Sequence, residues 1–367
     1  MKLNDKNKAC FVCGTPYHII QAIALASSIK YCDLYILKDY PAAKEILPNL
    51  SKLNMFNNIK LLEFRHSTFT TNIDAWIQTL KSYLFSKKQS KVFGWDNFDY
   101  EMIVFPSTAS LQAAIFSAIK KNSLKKYIKL YTFDDGVFSY YKNSASFISN
   151  KNQMIRFLFF GKLGMRKRII HLLYQPQICA IEDKYIKKVK LPSLKKNNNL
   201  HIRLNTVFNL SKKVELKNKI LVFSGLWQEV YGEEGANYLK NILFQISNKV
   251  NHDVVVKKHP RDNTSFFNEF ELWEYEGVPA EILFLNIPDL EEKILITDAS
   301  TSCVTPKMLL EQEVRVIMLY KLLEQYKPVS KEMNDFFVKI KQSYQLQERF
   351  LIPETIDELW AFLNHLS

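Results

Sequence analysis

The chain has 367 residues, of which 47% are apolar and 13% aromatic, and its formal net charge is +13. This length exceeds that of one usual domain and predicts two domains of roughly 150 to 200 residues each. The positive charge favours phosphates, acidic sugars or an anionic membrane surface as partners, although solvated surface Lys accounts for part of it. The 5 cysteines lack the spacing of a disulfide framework, which favours a reducing compartment.

Two apolar segments bear on where the protein works. Residues 9–12 are too short a run for a signal peptide or a spanning helix, so we expect a cytoplasmic protein. Residues 154–174 mix bulky apolar side chains with cations, which is typical both of a buried helix and of a helix on an anionic leaflet. Cys10 and Cys13 form a C-x-x-C pattern inside an apolar strand, a position that argues against a redox or zinc site.

Apolar runs alternate with helical periodicity in the first half of the chain. Strands are predicted at 8–13, 33–37, 59–64, 102–105 and 128–133, and helices at 17–30, 41–53, 72–85 and 110–120. The polar, proline-bearing stretch 191–199 is typical of a linker or surface excursion. Strands that alternate with helices predict parallel βαβ units.

The second half repeats this architecture without an evident sequence repeat. Strands are predicted at 219–224, 252–256, 282–285 and 293–297, and a helix at 235–249. We therefore divide the chain into domains 1–205 and 206–350, followed by segment 351–367, whose helix is predicted to pack back on the first domain. Two facing Rossmann-like domains would form a cleft where the carboxyl ends of both sheets meet a ligand.

An acidic pair follows the last predicted strand of the first domain. Asp134 and Asp135 precede Gly136, which permits a tight turn. Two adjacent carboxyls in a dry cleft do not both ionise easily, so one would have a raised pKa and could act as a general base near neutral pH. An ordinary Asp-Gly turn explains the pattern equally well. Adjacent side chains diverge, so the pair is not a D-x-D metal motif, and we expect no metal site.

A histidine among cations ends a β-branched strand in the second domain. Three valines lead into Lys257-Lys258-His259-Pro260-Arg261, and the proline biases His259 towards an extended conformation. The cations could hold a phosphate while the imidazolium donates a proton to the departing oxygen. A neutral histidine packed in the core is the structural alternative.

Further polar groups follow other predicted strands. Ser300, Thr301 and Ser302 could bind a phosphate together with the amides of a helix start, whereas helix capping explains a single hydroxyl residue there. Glu281 could accept both hydroxyls of a ribose, and Ser224 and Gly225 allow close approach of the backbone to a ligand. The G-x-G-x-x-G, G-x-x-x-x-G-K-[ST] and H-E-x-x-H patterns are absent, which argues against the usual dinucleotide and nucleoside-triphosphate loops.

The order of four short motifs resembles the bacterial sialyltransferases of glycosyltransferase family 52, which act on lipooligosaccharide and capsule. The motifs are Cys13-Gly-Thr-Pro-Tyr-His18, Phe133-Asp-Asp-Gly136, the Lys-x-His-Pro that ends at Pro260, and Ser300-Thr-Ser302. The resemblance implies an α/β GT-B fold and an inverting, metal-independent transfer of sialic acid from CMP-sialic acid to a galactoside hydroxyl. It also implies that the second domain binds the nucleotide.

The resemblance assigns roles to individual residues. His259 matches the acid that assists the departure of CMP, Lys257 and Pro260 belong to its motif, and Glu281 matches the ribose-binding carboxylate. The phosphate-binding hydroxyls correspond to Ser300, Thr301 and Ser302. Ser224 and Gly225 are also assigned to nucleotide binding. The base is either Asp135 or an acid after the first strand of the second domain, where this chain has Glu229. The acceptor side is assigned Asp134, Gly136, Thr15 and His18.

The partners that this implies are a CMP-sugar donor and a glycan or glycolipid acceptor, without a metal or other cofactor. Peripheral contact with the inner face of the cytoplasmic membrane and a homodimer are further expectations. The main alternative is an enzyme of the same fold with another donor, CMP-Kdo or a UDP-hexose. A basic nucleic-acid-binding protein is a distant alternative, because it would need a contiguous cationic face with exposed aromatic residues, whereas the cations here are scattered.

Overall fold

A computed structural model describes most of the chain. The described residues are 8–38, 43–63, 81, 84–94, 100–122, 128–140, 158–159, 169–181, 187–195, 198–211, 214–250, 253–259, 261–273, 275 and 277–365. Most of the predicted helix 72–85 and of the apolar and cationic segment 154–174 lies outside them, as does Pro260. Among the described residues, no helix is both long and apolar enough to cross a membrane.

The chain divides into two compact units. The first comprises Met1–Pro192 and Asn197–Asn209, and the second comprises Ser193–Lys196 and Leu210–Ser367. The sequence placed the boundary between residues 205 and 206, which lies inside a helix of the first unit that spans Asn198–Val207. The last turn of that helix accordingly belongs to the first unit.

The first unit is built on a seven-stranded parallel sheet of order β3-β2-β1-β4-β5-β6-β7. Its strands are β1 Lys8–Cys13, β2 Tyr31–Leu37, β3 Asn58–Leu62, β4 Met102–Phe105, β5 Lys129–Thr132, β6 Ile169–Leu173 and β7 Lys187–Lys190. The described helices are α1 Pro16–Ala26, α2 Ala43–Lys52, α3 Ser86–Ser90, α4 Ala109–Asn122 and α5 Asn198–Val207.

The centre of this sheet is covered on both faces. All four residues of β4 are buried, as are five of the six in β1, which is why these strands are continuous apolar runs rather than alternating ones. Polar chemistry is therefore left to the loops that follow the strands, at the carboxyl edge where ligands bind in parallel sheets.

The second unit contains a six-stranded parallel sheet of order β10-β9-β8-β11-β12-β13. Its strands are β8 Ile220–Phe223, β9 Val254–Lys257, β10 Glu271–Leu272, β11 Ile294–Thr297, β12 Arg315–Met318 and β13 Phe350–Leu351. The helices are α6 Trp227–Lys249, α7 Ala280–Asn286, α8 Thr305–Leu310, α9 Lys331–Gln342 and α10 Ile356–Asn364. The strand order reverses between β8 and β11, which is the usual ligand position of such a sheet.

Two predictions for this unit differ from the structure. Residues 282–285, predicted as a strand, lie in helix α7, since a run of four apolar residues is compatible with either element. The extended N-cap Pro279 starts that helix, and Phe284 packs against Phe223 at 5.4 Å between ring centroids. The C-terminal helix α10 was predicted to pack on the first domain, whereas its buried Leu359 and Leu363 belong to the core of the second unit.

Candidate functional site

The loop after β1 leads directly into helix α1. Thr15 caps the helix, because its Oγ1 accepts the His18 N–H at 3.3 Å, and Pro16 fixes the backbone of the first turn. Thr15 was predicted to lie on the acceptor side, and its hydroxyl is engaged in this cap. The cap sets the direction of the first turn and hence the position of the His18 side chain.

The imidazole of His18 has a partner at each nitrogen. Nδ1 accepts the backbone N–H of Gly14 at 3.2 Å, and Nε2 is hydrogen-bonded to Oδ1 of Asp135. The ring also stacks on Phe133, with 5.1 Å between ring centroids. The residue is only 4% exposed, so these contacts fix the ring in the first unit.

Asp134 and Asp135 have different environments. Asp134 is fully buried and accepts hydrogen bonds from the Tyr140 hydroxyl at 2.5 Å, the Gly136 N–H at 2.9 Å and the Tyr174 N–H at 3.1 Å. Burial raises the pKa of Asp134 to about 7 in spite of these donors, which lower it. The expectation of one carboxyl with a raised pKa is met by Asp134, which is the structural member of the pair.

Asp135 is the member that solvent reaches. Its side chain is 21% exposed, Oδ2 accepts the Ser107 N–H at 2.9 Å, and its own N–H donates to Ser139 Oγ at 2.7 Å. Its backbone, at φ −94° and ψ 26°, lies in the sparsely populated bridge region that many active-site residues occupy. Gly136 follows with a positive φ of 69°, as expected for the turn. A carboxylate that is held and yet accessible can accept a proton from a bound hydroxyl.

In the second unit, Ser224 connects the ends of β8 and β9. Its N–H donates to the Lys257 carbonyl at 3.1 Å, and its Oγ accepts the His259 N–H at 3.2 Å. Ser224 thus continues the strand pairing by one residue beyond the sheet. The bond from the His259 N–H fixes the backbone at the end of β9 and thereby the position of the His259 side chain.

His259 is partly exposed at the end of β9. Its Nδ1 accepts the Arg261 N–H at 3.1 Å, and its carbonyl accepts the Asp262 N–H at 2.8 Å. No described residue accepts a hydrogen bond from its Nε2. Burial and the charge of Arg261 lower the pKa of His259, while the charges of Asp262, Glu229 and Asp298 raise it. Within the described part of the chain, Nε2 is therefore the ring nitrogen without a hydrogen-bond partner.

Lys257 and Glu281 interact electrostatically in the second unit. The Lys257 ammonium donates to the Tyr275 carbonyl at 3.0 Å, and Glu281 lies in the first turn of α7. Burial raises the pKa of the Glu281 carboxyl, and the Lys257 charge lowers it. A desolvated carboxylate near an ammonium is a suitable acceptor for sugar hydroxyls.

A buried carboxylate that the sequence analysis did not select lies next to Gly225. Asp298 follows β11, and its Oδ2 accepts the Tyr231 hydroxyl at 3.0 Å. A Cβ added to Gly225 would lie 3.1 Å from Asp298 Oδ2 and 3.3 Å from Trp227 Cδ1. The glycine is therefore required by close approach to a charged group of its own unit. A position directly after a buried strand was the available signal for Asp298.

The three hydroxyl residues begin the short helical segment after β11. Ser300 Oγ accepts the Ser302 N–H at 3.3 Å, and the Ser300 N–H donates to Thr297 Oγ1 at 3.1 Å. Ser300 is thus a helix cap, the simpler of the two interpretations for that residue. Thr301 and Ser302 are partly exposed, and no hydrogen bond between described residues links them to His259.

Glu229 lies in the first turn of α6, since the helix begins at Trp227. Its side chain is exposed. Gly232, with φ 70° and ψ −178°, interrupts α6 one turn later, which explains why helical periodicity is evident only from residue 235. Among the described residues, no group of three His, Cys, Asp or Glu side chains could hold a metal ion.

Comparisons with known proteins concern the fold. No protein-family model and no curated protein matches the chain. It is similar to the structure of Arabidopsis thaliana UGT89C1 complexed with quercetin, with 11% sequence identity, a TM-score of 0.50, and coverage of 98% of this chain and 90% of that one.

Two further structures match at lower TM-scores. The UDP-GlcNAc 2-epimerase of Methanocaldococcus jannaschii has 14% identity and a TM-score of 0.47, covering 98% of this chain and 99% of that one. The UDP-GlcNAc 2-epimerase of Neisseria meningitidis bound to UDP-GlcNAc has 12% identity and a TM-score of 0.45, covering 98% of both chains. With two parallel Rossmann-like sheets, the expected α/β fold of the GT-B type is confirmed.

Proposed function

We propose that the protein is an inverting sialyltransferase that moves sialic acid from CMP-Neu5Ac to a terminal galactoside of a bacterial lipooligosaccharide or capsular glycan. The observation that carries the proposal is the end of β9, where His259 offers Nε2 to a ligand beside Lys257 and Arg261. This arrangement suits the phosphate of a nucleotide leaving group. The motif order of the whole chain supports the choice of CMP-sialic acid as donor.

His259 interacts with the leaving phosphate through Nε2. Because Nδ1 accepts the Arg261 N–H, the free side chain has the pattern of the neutral Nε2–H tautomer and donates a hydrogen bond. Proton transfer to CMP requires an imidazolium, and hence a proton on Nδ1 and loss of the Arg261 contact. Hydrogen-bond donation is therefore the role that this arrangement of His259 supports. Acid catalysis additionally requires that the hydrogen bond from the Arg261 N–H to Nδ1 be broken.

The remaining donor contacts come from the same unit. Lys257 and Glu281 are assigned to the phosphate and the ribose hydroxyls, and the partly exposed hydroxyls of Thr301 and Ser302 to the phosphate. These cationic and neutral donors neutralise the leaving group without a metal ion in the proposed mechanism. Ser224 and Gly225 position the backbone beneath the nucleotide.

Asp135 is the proposed base. It is a partly exposed carboxylate held by Ser107 and His18, whereas Glu229, the other candidate, is exposed on a helix. In the reaction the acceptor O–H loses its proton to Asp135, the acceptor oxygen bonds to C2 of sialic acid, and the C2–O bond to CMP breaks with its electrons on the phosphate. Positioning and charge stabilisation of the oxocarbenium-like transition state supply the rest.

The proposal places the enzyme in the cytoplasm, with its positive charge directed to an anionic donor and to glycolipids at the inner membrane face. The test is release of CMP from CMP-Neu5Ac with a lactose-type acceptor in the presence of EDTA. Turnover that EDTA leaves unchanged is the expected result. CMP-Kdo and UDP-hexoses are run in parallel, and turnover with one of them alone would replace the donor assignment. Salt-dependent DNA binding without CMP binding would instead support a nucleic-acid-binding protein.

A further inference from the structure

The hydrogen bonds of His18 determine which of its nitrogens carries the proton. A backbone N–H can only donate, so the Gly14 N–H requires a lone pair on His18 Nδ1. The ring proton is then on Nε2 and is donated to Asp135 Oδ1. With Nε2 already protonated, His18 is a hydrogen-bond donor to Asp135 and not an acceptor of its proton.

Asp135 is held by one donor at each oxygen. His18 bonds Oδ1, and the Ser107 N–H bonds Oδ2 at 2.9 Å. Each carboxylate oxygen has two lone pairs, so two remain available on a side chain that is 21% exposed. The two donors come from helix α1 and from the loop after β4, and they fix the direction in which the remaining lone pairs point.

Helix α1 contacts both members of the acidic pair from one face. Gln21 accepts the Asp134 N–H at 3.0 Å and donates to the Asp134 carbonyl at 2.8 Å. His18, three residues earlier on the same face, contacts the Asp135 side chain and stacks on Phe133. Gln21 thus links helix α1 to the backbone of the loop after β5. The additional contact from His18 acts on the carboxylate itself.

We propose that His18 is a positioning residue that holds the Asp135 carboxylate in the orientation needed to accept the proton of the incoming hydroxyl. This role rests on the proposed transfer reaction, in which Asp135 is the base. His18 itself touches no substrate in this mechanism, in contrast to the acceptor-side role that the sequence suggested for it. Misplacement of a reacting group by about 1 Å costs on the order of 100-fold in rate.

Two substitutions separate positioning of the Asp135 carboxylate from bracing, by which we mean stabilisation of the loop after β1 through the Gly14 N–H. In His18→Gln the side-chain amide can reach the place of Nε2 and donate to Asp135, but it leaves the Gly14 N–H without its acceptor. In His18→Asn the shorter amide can take the place of Nδ1 and accept from Gly14, but it cannot reach Asp135. A positioning role predicts that Gln rescues activity and Asn does not, whereas a bracing role predicts the reverse order.

The kinetic test uses the full chain with the donor that the wild-type protein turns over. We expect kcat of His18→Asn to fall about 10- to 100-fold with KM for the donor nearly unchanged, and kcat of His18→Gln to stay within about fivefold. In the Asp135→Asn background His18→Asn should cause no further loss, because the carboxylate that His18 positions is already absent. Additive losses, or an Asn variant more active than the Gln variant, would overturn the proposal. His365→Asn, at the exposed C-cap residue that follows α10, is the control.

A spectroscopic test is independent of activity. In ¹⁵N-labelled protein, the His18 ring, assigned by its absence in His18→Asn, should show the Nε2–H tautomer, and its Nε2–H proton should shift in Asp135→Asn. An Nδ1–H tautomer, an imidazolium, or a spectrum unaffected by Asp135→Asn would overturn the proposal even in an active enzyme. If no donor is turned over, the proposed function fails, and the His18–Asp135 interaction is still decided by this measurement.

Discussion

Each unit of the protein has a histidine after a parallel strand whose Nδ1 accepts a backbone N–H. In the first unit the donor is Gly14, at 3.2 Å from His18, and in the second it is Arg261, at 3.1 Å from His259. The difference lies at Nε2. His18 is buried and bonds Asp135, whereas His259 is partly exposed and has no described partner at that nitrogen.

The same way of fixing an imidazole serves a different purpose in each unit. In both loops the backbone N–H fixes the ring and the tautomer, so that Nε2 becomes a directed donor. Where the partner is a carboxylate of the same unit, the donor orients that carboxylate. Where no described residue accepts from it, as at His259, the donor can serve a ligand, and the neighbouring cations favour an anionic one.

The largest effect is expected at the carboxylate that His18 holds. Asp135→Asn should lower kcat about 10²- to 10⁴-fold, the usual contribution of a general base, whereas Glu229→Gln should change it less than about threefold. The two variants are assayed side by side with the same donor and acceptor. A larger loss in Glu229→Gln would assign the role of base to Glu229 in the second unit and contradict the role given to Asp135.

The next largest effect is expected at the unpartnered Nε2. His259→Ala should lower kcat about 100-fold, while the Kd for CMP, measured by titration calorimetry, changes much less. His259→Gln can keep a donor near the position of Nε2 and separates the two roles of the residue. Substantial activity in His259→Gln would indicate hydrogen bonding to the phosphate, and activity as low as that of His259→Ala would indicate proton donation.

A smaller effect is expected at the glycines after the first strand of each unit. In Gly225→Ala the new Cβ would be 3.1 Å from a buried carboxylate oxygen of Asp298, whereas in Gly14→Ala it would be 3.3 Å from a terminal methyl group of Leu37. Gly225→Ala should therefore cost about 1 to 3 kcal/mol of stability and weaken CMP binding. Thermal unfolding of both variants measures the difference, and equal losses would contradict it.

The smallest effect is a pH dependence of CMP binding. The pKa of His259 is lowered in the free protein, and a bound phosphate should raise it, so affinity should increase as the pH falls through the bound-state pKa. The gain ends below the free-state pKa and is at most about tenfold per pH unit. CMP itself protonates near pH 6, as phosphate monoesters do. The His259 contribution is therefore the difference between wild type and His259→Gln, and identical profiles would exclude it.

The sequence predicted strands β1, β4, β8 and β11 because they are buried and appear as uninterrupted apolar runs. Residues 102–105 were predicted with the observed bounds of β4. Strand β7 was not predicted, since Lys187–Lys190 contains three lysines and one valine. Residues 282–285 were assigned to a strand because a short apolar run carries no periodicity. The order β3-β2-β1-β4 depends on tertiary pairing, which no local pattern encodes.

The sequence indicated the loops of the candidate site one by one, but not the contacts between their residues. Asp135 was selected as one of two adjacent acids before a glycine, and His259 because cations flank it and a proline follows it. The bond between His18 and Asp135 joins positions 117 residues apart, and no local pattern indicates it. Asp298 was not selected because its partners, Tyr231 and Gly225, come from another part of the chain. Helix α6 begins at Trp227, earlier than the predicted start at residue 235, because Gly232 interrupts its periodicity.

Asp134 couples folding of the first unit to proton uptake. Burial raises its pKa from an ordinary value of 3.8 to about 7, so between these values the folded unit holds a proton that the unfolded chain releases. The stability that this proton supplies is complete at low pH and declines by about 1.4 kcal/mol per pH unit as the pH rises through this window. Calorimetric unfolding at pH 5.5 in buffers of different ionisation enthalpy should detect the released proton. Asp134→Asn should reduce the dependence of the unfolding heat on the buffer by the contribution of about one proton.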